Sequence, residues 1–237
     1  YFTYEDTNIQ ALNGISFEVE KGKTLAIIGN TGSGKSTILE LIGRLYDPQK
    51  GSIEIDGIDI KFLNINSLRT AIGFVPQDPF LFSDSLKNNI KFGKNNATDD
   101  EVIEAAKKAV VHENIINFKN SYNTILGERG ITLSGGQKQR VSIARAFIKS
   151  PEILLLDDCL SAVDTETEEQ ILNNIELITK NKTTIIVSHR ISSAKNADMI
   201  IVLNDGIIAQ QGTHNSLICV EGYYKELYQK QLRETTH

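Results

Sequence analysis

The chain has 237 residues, 40% of them hydrophobic, and a formal charge of −5 at pH 7, enough apolar material for one large core or two modest lobes and unlike a disordered polypeptide. Its longest apolar stretches, such as Ile153–Leu156 and Met199–Leu203, are strand-sized and fall short of the roughly 20 residues that cross a bilayer. The acidic balance argues against a nucleic-acid partner, whose binders carry a basic face, and Cys159 and Cys219 lack the spacing of metal ligands.

Tyr1–Asp6 has no basic region followed by an apolar one, so it does not read as a signal peptide. An opening on Tyr1 without methionine is expected of a segment of a longer polypeptide. Ile15-Ser16-Phe17-Glu18-Val19 alternates as a strand does, and Lys21-Gly22-Lys23 turns the chain into an apolar strand at Leu25–Ile28. Then comes Gly29-Asn30-Thr31-Gly32-Ser33-Gly34-Lys35-Ser36, followed by the helix-like Thr37–Ile42. Strand, G-x-x-x-x-G-K-[ST] and helix in that order make a phosphate-binding loop. Its glycines let backbone N–H groups surround phosphate oxygens, and the helix N-terminus adds its dipole. Lys35 is expected to reach the β- and γ-phosphates and the Ser36 hydroxyl to hold Mg²⁺. The chain therefore reads as a binder of nucleoside triphosphate, and this implies a reducing cytosol.

Ser52–Gly57 is another alternating stretch, closed by Asp56-Gly57, and Ile72–Val75 is an apolar strand ending at Pro76-Gln77. These features predict an antiparallel β subdomain beside a parallel α/β core. From Thr98 to about Phe118 the pattern is helical, with Thr98 as cap, Asp99, Asp100 and Glu101 in the first turn, and Val102, Ile103 and Ala106 on the apolar face. This stretch predicts a helical subdomain over approximately residues 78–148. Ser134 caps a further helix, from Gly135 to about Ile148, whose first turn carries Gly135 and Gly136. That is a second anion site in a chain that already has a phosphate loop. A dimer in which each subunit's second site closes over its partner's nucleotide resolves the redundancy. The apolar strand Ile153–Leu156 ends in Asp157, placed to reach Mg²⁺ beside the phosphate loop. A helix over Thr165–Ile178, strands Thr184–Val187 and Met199–Leu203, and an amphipathic helix over Tyr223–Leu232 complete the pattern of a parallel sheet covered on both faces.

With these motifs in this order the chain resembles the nucleotide-binding domain of an ATP-binding cassette (ABC) transporter over essentially its whole length, 1–237. The resemblance implies the ABC ATPase fold, with ATP and Mg²⁺ as ligands. It makes Gly29–Ser36 the Walker A loop, with Thr37 beside it on the nucleotide, and Ile153–Asp157 Walker B. Leu133–Gln137 becomes the signature, with Ser134, Gly135, Gly136 and Gln137 facing a partner's ATP. Ser161-Ala162-Val163-Asp164 becomes the D-loop, where Asp164 bridges subunits. Tyr4 resembles the aromatic that stacks on adenine. Ser36, Gln77 and Asp157 become the metal set, and His189 the switch histidine contacting the γ-phosphate. Gln77 and His189 would orient the attacking water, and Lys35 would clamp charge. Thr124-Ile125-Leu126-Gly127-Glu128-Arg129-Gly130 and Gln77–Ser83 resemble exporter forms. This implies transmembrane helices preceding this domain on the same polypeptide, at the cytoplasmic face of the cell (inner) membrane, and a second nucleotide-binding domain as partner.

The stretch after Walker B departs from the family pattern, first at the residue that follows its Asp. Glu normally follows the Walker B Asp, and here it is Asp158. Reference pKa values of about 3.9 and 4.3 make the two carboxylates nearly equal bases. Reach differs by a methylene, and a misplacement of about 1 Å can cost on the order of 100-fold in rate. Asp157-Asp158-Cys159-Leu160-Ser161-Ala162-Val163-Asp164 also differs from the usual Asp-Glu-Ala-Thr-Ser-Ala-Leu-Asp form and resembles the weakened subunit of a heterodimeric exporter, which implies slow hydrolysis at its own site and a non-identical partner. A homodimer with both sites working, a soluble non-transport cassette ATPase and a non-catalytic regulatory module are the alternatives.

Overall fold

The computed structural model describes residues 1–127 and 132–235. A short antiparallel pair, β1 (Phe2–Thr3) and β2 (Gln10–Leu12), leads to β3 (Thr24–Gly29), the phosphate loop and α1 (Lys35–Ile42). A second pair follows, β4 (Glu54–Ile55) and β5 (Ile58–Asp59), then α2 (Ile65–Ala71) and β6 (Ile72–Val75). Helices α3 (Leu86–Lys91), α4 (Asp99–Lys108), α5 (His112–Ile116) and α6 (Gly135–Phe147) come next. The chain then alternates through β7 (Ile153–Asp157), α7 (Thr165–Ile178), β8 (Thr183–Val187) and α8 (Ile191–Ala194). It ends with β9 (Met199–Asn204), β10 (Ile207–Gly212), α9 (His214–Leu217) and α10 (Tyr223–Thr235).

The main sheet has six strands in the order β10-β9-β3-β8-β7-β6. From β9 to β6 every pairing is parallel, and β10 adds an antiparallel edge. Leu25, Ala26, Ile27 and Ile28 of β3 are fully buried, as an interior strand covered on both faces requires. One side packs Leu25, Ile27, Leu155, Ile185 and Ile201 against Ile38 and Leu39 of α1. The other joins Val75, Leu154 and Leu156 to α6 and α7 through Val141, Ile143, Ala144 and Ile171. This is a mixed sheet flanked by helices, the P-loop and ABC ATPase architecture. The antiparallel part consists of the two short pairs, each its own ladder.

Several expectations change in detail. Among the described residues Ile15–Val19 joins no ladder, yet Ile15, Phe17 and Val19 are half-buried on the core while Ser16 and Glu18 are exposed. The alternation reports burial, not strand pairing. Ser52–Gly57 shrinks to the two residues of β4, turned through Asp56 (φ 51°) and Gly57 (φ 77°), the left-handed pair of a tight hairpin. The expected continuous helix from Thr98 is instead α4 and α5, broken at Val110, whose φ is 55°. There Val111 N–H reaches back to Ala106 O at 2.9 Å and closes the end of α4. β10 had no counterpart in the sequence reading. The segment Thr124–Gly130 runs into 128–131, outside the described residues; Ile125 within it bridges to Ser85.

At the start of α4, Thr98 Oγ1 accepts from Glu101 N–H and Glu101 returns a bond to Thr98 N–H, a complete capping box. Thr98→Ala should lower unfolding free energy by about 1 kcal/mol, read by chemical denaturation, without moving ATP affinity.

Candidate nucleotide-binding and hydrolysis site

The site is assembled at the C-terminal edges of β3, β6, β7 and β8, where a parallel sheet delivers its loops. β3 ends in the phosphate loop. A Cβ at Gly34 would lie 2.4 Å from Ala11 O, so a side chain there is sterically excluded and the loop turns tightly. Gly32, by contrast, meets nothing within 4 Å on the side a Cβ would occupy. α1 starts at Lys35 with no side-chain cap on its N-terminus, leaving its first N–H groups for an anion. Ser33 Oγ is buried without a partner in the protein. An open cradle with uncapped N–H groups and an orphaned hydroxyl fits a phosphate chain.

Lys35 is 6% exposed, and its ammonium donates to Gly29 O at 2.9 Å and Asn30 O at 2.7 Å. Burial pushes its pKa down, against the opposing pull of Asp158 and Asp157. Ser36 Oγ donates to Asp157 Oδ1 at 2.9 Å, which sets a hydroxyl and a carboxylate side by side. These are the hard oxygen donors that Mg²⁺ takes. Among the described residues no three His, Cys, Asp or Glu side chains cluster as a metal site. Ser36 and Asp157 would therefore hold Mg²⁺ together with phosphate oxygens, as is usual for this ion. When bound there it would neutralise charge on the transferring phosphoryl group.

Asp157 and Asp158 are both buried, and burial raises the pKa of each. The Ser36 hydrogen bond opposes the rise at Asp157, and the charge and backbone N–H of His189 oppose it at Asp158. Asp158 sits just beyond β7 at φ 42°, its N–H donating to Val187 O at 2.9 Å. His189 follows β8 and Ser188. Burial, and then Lys35, lower its pKa, while Asp158 pulls the other way. Lys35, Asp157, Asp158 and His189 thus form one electrostatic group around the loop.

The remaining sequence candidates lie in two further places. Tyr4, just after β1, is edge-on to Phe2 and Tyr46, with ring centroids 4.9 and 5.5 Å away. Its hydroxyl donates to Glu40 Oε2 at 2.8 Å and lies 3.0 Å from Thr37 Oγ1. Burial pushes its pKa up to about 12, so it stays protonated. Gln77, after β6, lines a cleft of about 260 Å³ with Asp78, Pro79, Gly135, Lys138, Gln139 and Ala162. Among the described residues no hydrogen bond joins its side chain to Ser36 or Asp157. Ser134 caps α6 in a capping box with Gln137. Gly136 has a reason within this chain as well: a Cβ there would lie 2.8 Å from Ala162 O. Asp164 caps α7 by accepting from Thr167 N–H at 2.9 Å, and this bond holds its pKa low.

Three residues without an assigned role in the sequence reading tie these loops together. The buried Gln139 of α6 donates to Gln77 O and accepts from Ala162 N–H, each at 3.3 Å, linking the loop after β6 to the D-loop segment. Arg190, next to His189, donates to Ser161 O at 3.1 Å and Val163 O at 3.3 Å. Its charge partner is Glu168 of α7, 2% exposed, which also accepts from Ser192 Oγ at 2.7 Å and Ser193 Oγ at 2.9 Å. Glu168→Ala would strand Arg190 and two serine hydroxyls. We expect about 3 kcal/mol of lost stability, at the low end for a broken buried pair because Arg190 is partly exposed, visible in thermal unfolding.

Comparison with known proteins fits this geometry. Residues 12–161 match the ABC transporter family. Heavy metal tolerance factor 1 of Caenorhabditis elegans is 46% identical over 98% of this chain and 29% of its own length. ATP-binding cassette sub-family B member 6 of Xenopus tropicalis is 48% identical over 98% of this chain and 27% of its own. A putative multidrug export ATP-binding/permease protein of Staphylococcus aureus is 48% identical over 96% and 39%. The solved structure of a bacterial Atm1-family ABC exporter with ATP bound superposes with a TM-score of 0.92 at 45% identity, over 98% of this chain and 41% of that one. The chain thus spans between about a quarter and two fifths of these relatives. A phosphate loop, its Ser36–Asp157 pair and a capped Ser-Gly-Gly-Gln helix on one mixed sheet, with these relatives, establish that the chain belongs to the ABC transporter family.

Proposed function

We propose that the chain is the ATP-binding and ATP-hydrolysing module of a membrane exporter, working in a pair of like modules that close over two Mg-ATP. The single observation that carries this is the grouping of Lys35, Ser36, Asp157, Asp158 and His189 around the loop. Names that speak of export, among the relatives and the ATP-bound structure, support it. Lys35 clamps phosphate charge, and Asp158 and His189 hold the attacking water and its proton. The Ser134–Gln137 helix start serves the partner's nucleotide, and Asp164 stands at the junction. Helices α3 to α6 act as a lobe, approximately 78–148, that carries the signature and relays closure through the loop at Gln77. Tyr4 presents its ring to adenine, its hydroxyl already tethered to α1. The membrane helices belong to the same polypeptide, N-terminal to this domain, and the module works at the cytoplasmic membrane face. No helix among the described residues is long and apolar enough to cross a membrane.

The symmetric pair, with both sites hydrolysing, draws its support from the exporter relatives. The asymmetric pair, in which a non-identical partner does most of the hydrolysis, rests on Asp158 alone. The test is ATP turnover by the full-length protein purified alone and then with a candidate partner half. Turnover by the protein alone supports the symmetric pair, and turnover only in the mixture supports the asymmetric one. No turnover in either removes the hydrolytic role.

A further inference from the structure

We infer that Gln231, on the C-terminal helix α10, is a positioning residue for His189, so that α10 holds the hydrolytic site as well as packing against the sheet. This rests on the proposed role of His189 in ATP hydrolysis. Between the end of β8 at Val187 and the start of α8 at Ile191 the chain crosses Ser188, His189 and Arg190. α8 is only four residues long, and Arg190 at its N-cap makes no side-chain cap bond. Ser188 N–H is taken by Ile27 O at 3.2 Å, and Arg190 N–H by Ser188 Oγ at 3.0 Å. The bonds on either side of Arg190 both come from one side chain. Gln231 Nε2 donates to His189 O at 2.7 Å, and Gln231 Oε1 accepts from Ile191 N–H at 2.8 Å. The amide orientation is fixed by the network, because a carbonyl faces one end and an N–H the other.

This clamp is itself held in place. Tyr224 of α10 is fully buried, its hydroxyl 2.9 Å from His214 Nδ1, and Leu227 and Tyr228 pack on the cluster containing Ile191 and Ala194. Arg190 in turn donates to the carbonyls of Ser161 and Val163. His189 therefore sits on a short bridge fixed to α10 behind it and to the D-loop segment beside it. Its imidazole feels the charges of Lys35 and Asp158. Loosening the bridge would leave ATP contacts in the phosphate loop intact while blurring the histidine's position, and loss of about 1 Å of registration costs on the order of 100-fold in rate.

The experiment uses the full-length protein with Gln231→Met, which keeps the stem and removes both bonds. It adds Gln231→Glu, which keeps the acceptor for Ile191 N–H and sets an oxygen against His189 O. Each is made alone and with His189→Ala, and kcat, ATP Kd and Tm are measured. We expect kcat to fall about 10- to 100-fold in both single variants, with Kd within about 3-fold of the parent and no further loss when His189 is already alanine. A purely structural role would instead leave kcat near the parent value, lower kcat and affinity together, or multiply with His189→Ala. Any of these overturns the inference. If Gln231→Met does not fold, Gln231→Glu decides by the same criteria. Turnover absent both in the parent alone and with a partner half would instead sink the proposed hydrolytic function, and turnover untouched by His189→Ala would sink the role given to His189; either takes this inference with it.

Discussion

Lys35→Ala is expected to cut ATP turnover by about 100- to 1000-fold, the loss typical of removing one preorganised charge-stabilising donor. The ammonium is buried and held by two loop carbonyls, Gly29 O and Asn30 O. It therefore pays little reorganisation when phosphate charge develops beside it. Burial disfavours its charged form, with Asp158 and Asp157 pulling the other way, and thermal unfolding of the variant checks that it is folded. Phosphate release measures turnover, and titration with a fluorescent ATP analogue measures binding. Both should weaken, turnover more than affinity. Lys21→Ala, at an exposed lysine ahead of β3, serves as the control and should change neither. Turnover within about tenfold of the parent would mean that Lys35 is a structural tie for the loop and that the charge clamp lies elsewhere, because a donor of this kind is worth more than that.

The strand, glycine turn and helix over 24–42, the strand ending in Asp157 and the helix capped by Ser134 are legible because their signals are local. Each motif lies within one turn or strand end, and the helix predicted for Thr165–Ile178 appears with those bounds. Hydrophobic pattern reports burial, and burial usually coincides with an element. Ile15–Val19 shows the two coming apart, with half-buried alternate side chains and no ladder. β10 escaped because Ile207-Ile208 followed by Ala209-Gln210-Gln211 has weak alternation at a half-exposed edge, although Asp205-Gly206, with φ of 47° and 75°, marks its hairpin. The break at Val110 was hidden because a β-branched residue at positive φ is an outlier that no local pattern announces. The loop ties were not readable for a different reason. Gln139 meets Gln77 across 62 residues and Gln231 meets His189 across 42, and a single chain without its fold gives no hint of which amides will converge. The sequence did offer one signal, an Arg directly after His189, whose partner Glu168 sits among several exposed acids of α7.

Asp158→Asn should reduce turnover by about 100- to 10,000-fold, the range for loss of a positioned general base, while ATP binding and the ATP-bound pair persist. The isosteric amide keeps the backbone at φ 42°, a region that Asn and Asp tolerate better than most residues. Asp158→Glu asks the sharper question. The longer side chain enters the same left-handed position with less ease, so stability should fall slightly, by about 1 kcal/mol. If reach limits the parent, kcat should nevertheless rise about 10- to 100-fold, since the two carboxylates are nearly equal bases. That rise, measured in the protein alone, would make Asp158 a brake and favour an asymmetric pair. Equal or lower turnover would mean that the bond from Asp158 N–H to Val187 O and the hold of His189 set the shorter carboxylate close enough to work. The module would then hydrolyse ATP with aspartate as its own base, and a symmetric pair would need no weakened partner. The two outcomes differ in sign, so a modest kcat change suffices to choose between them.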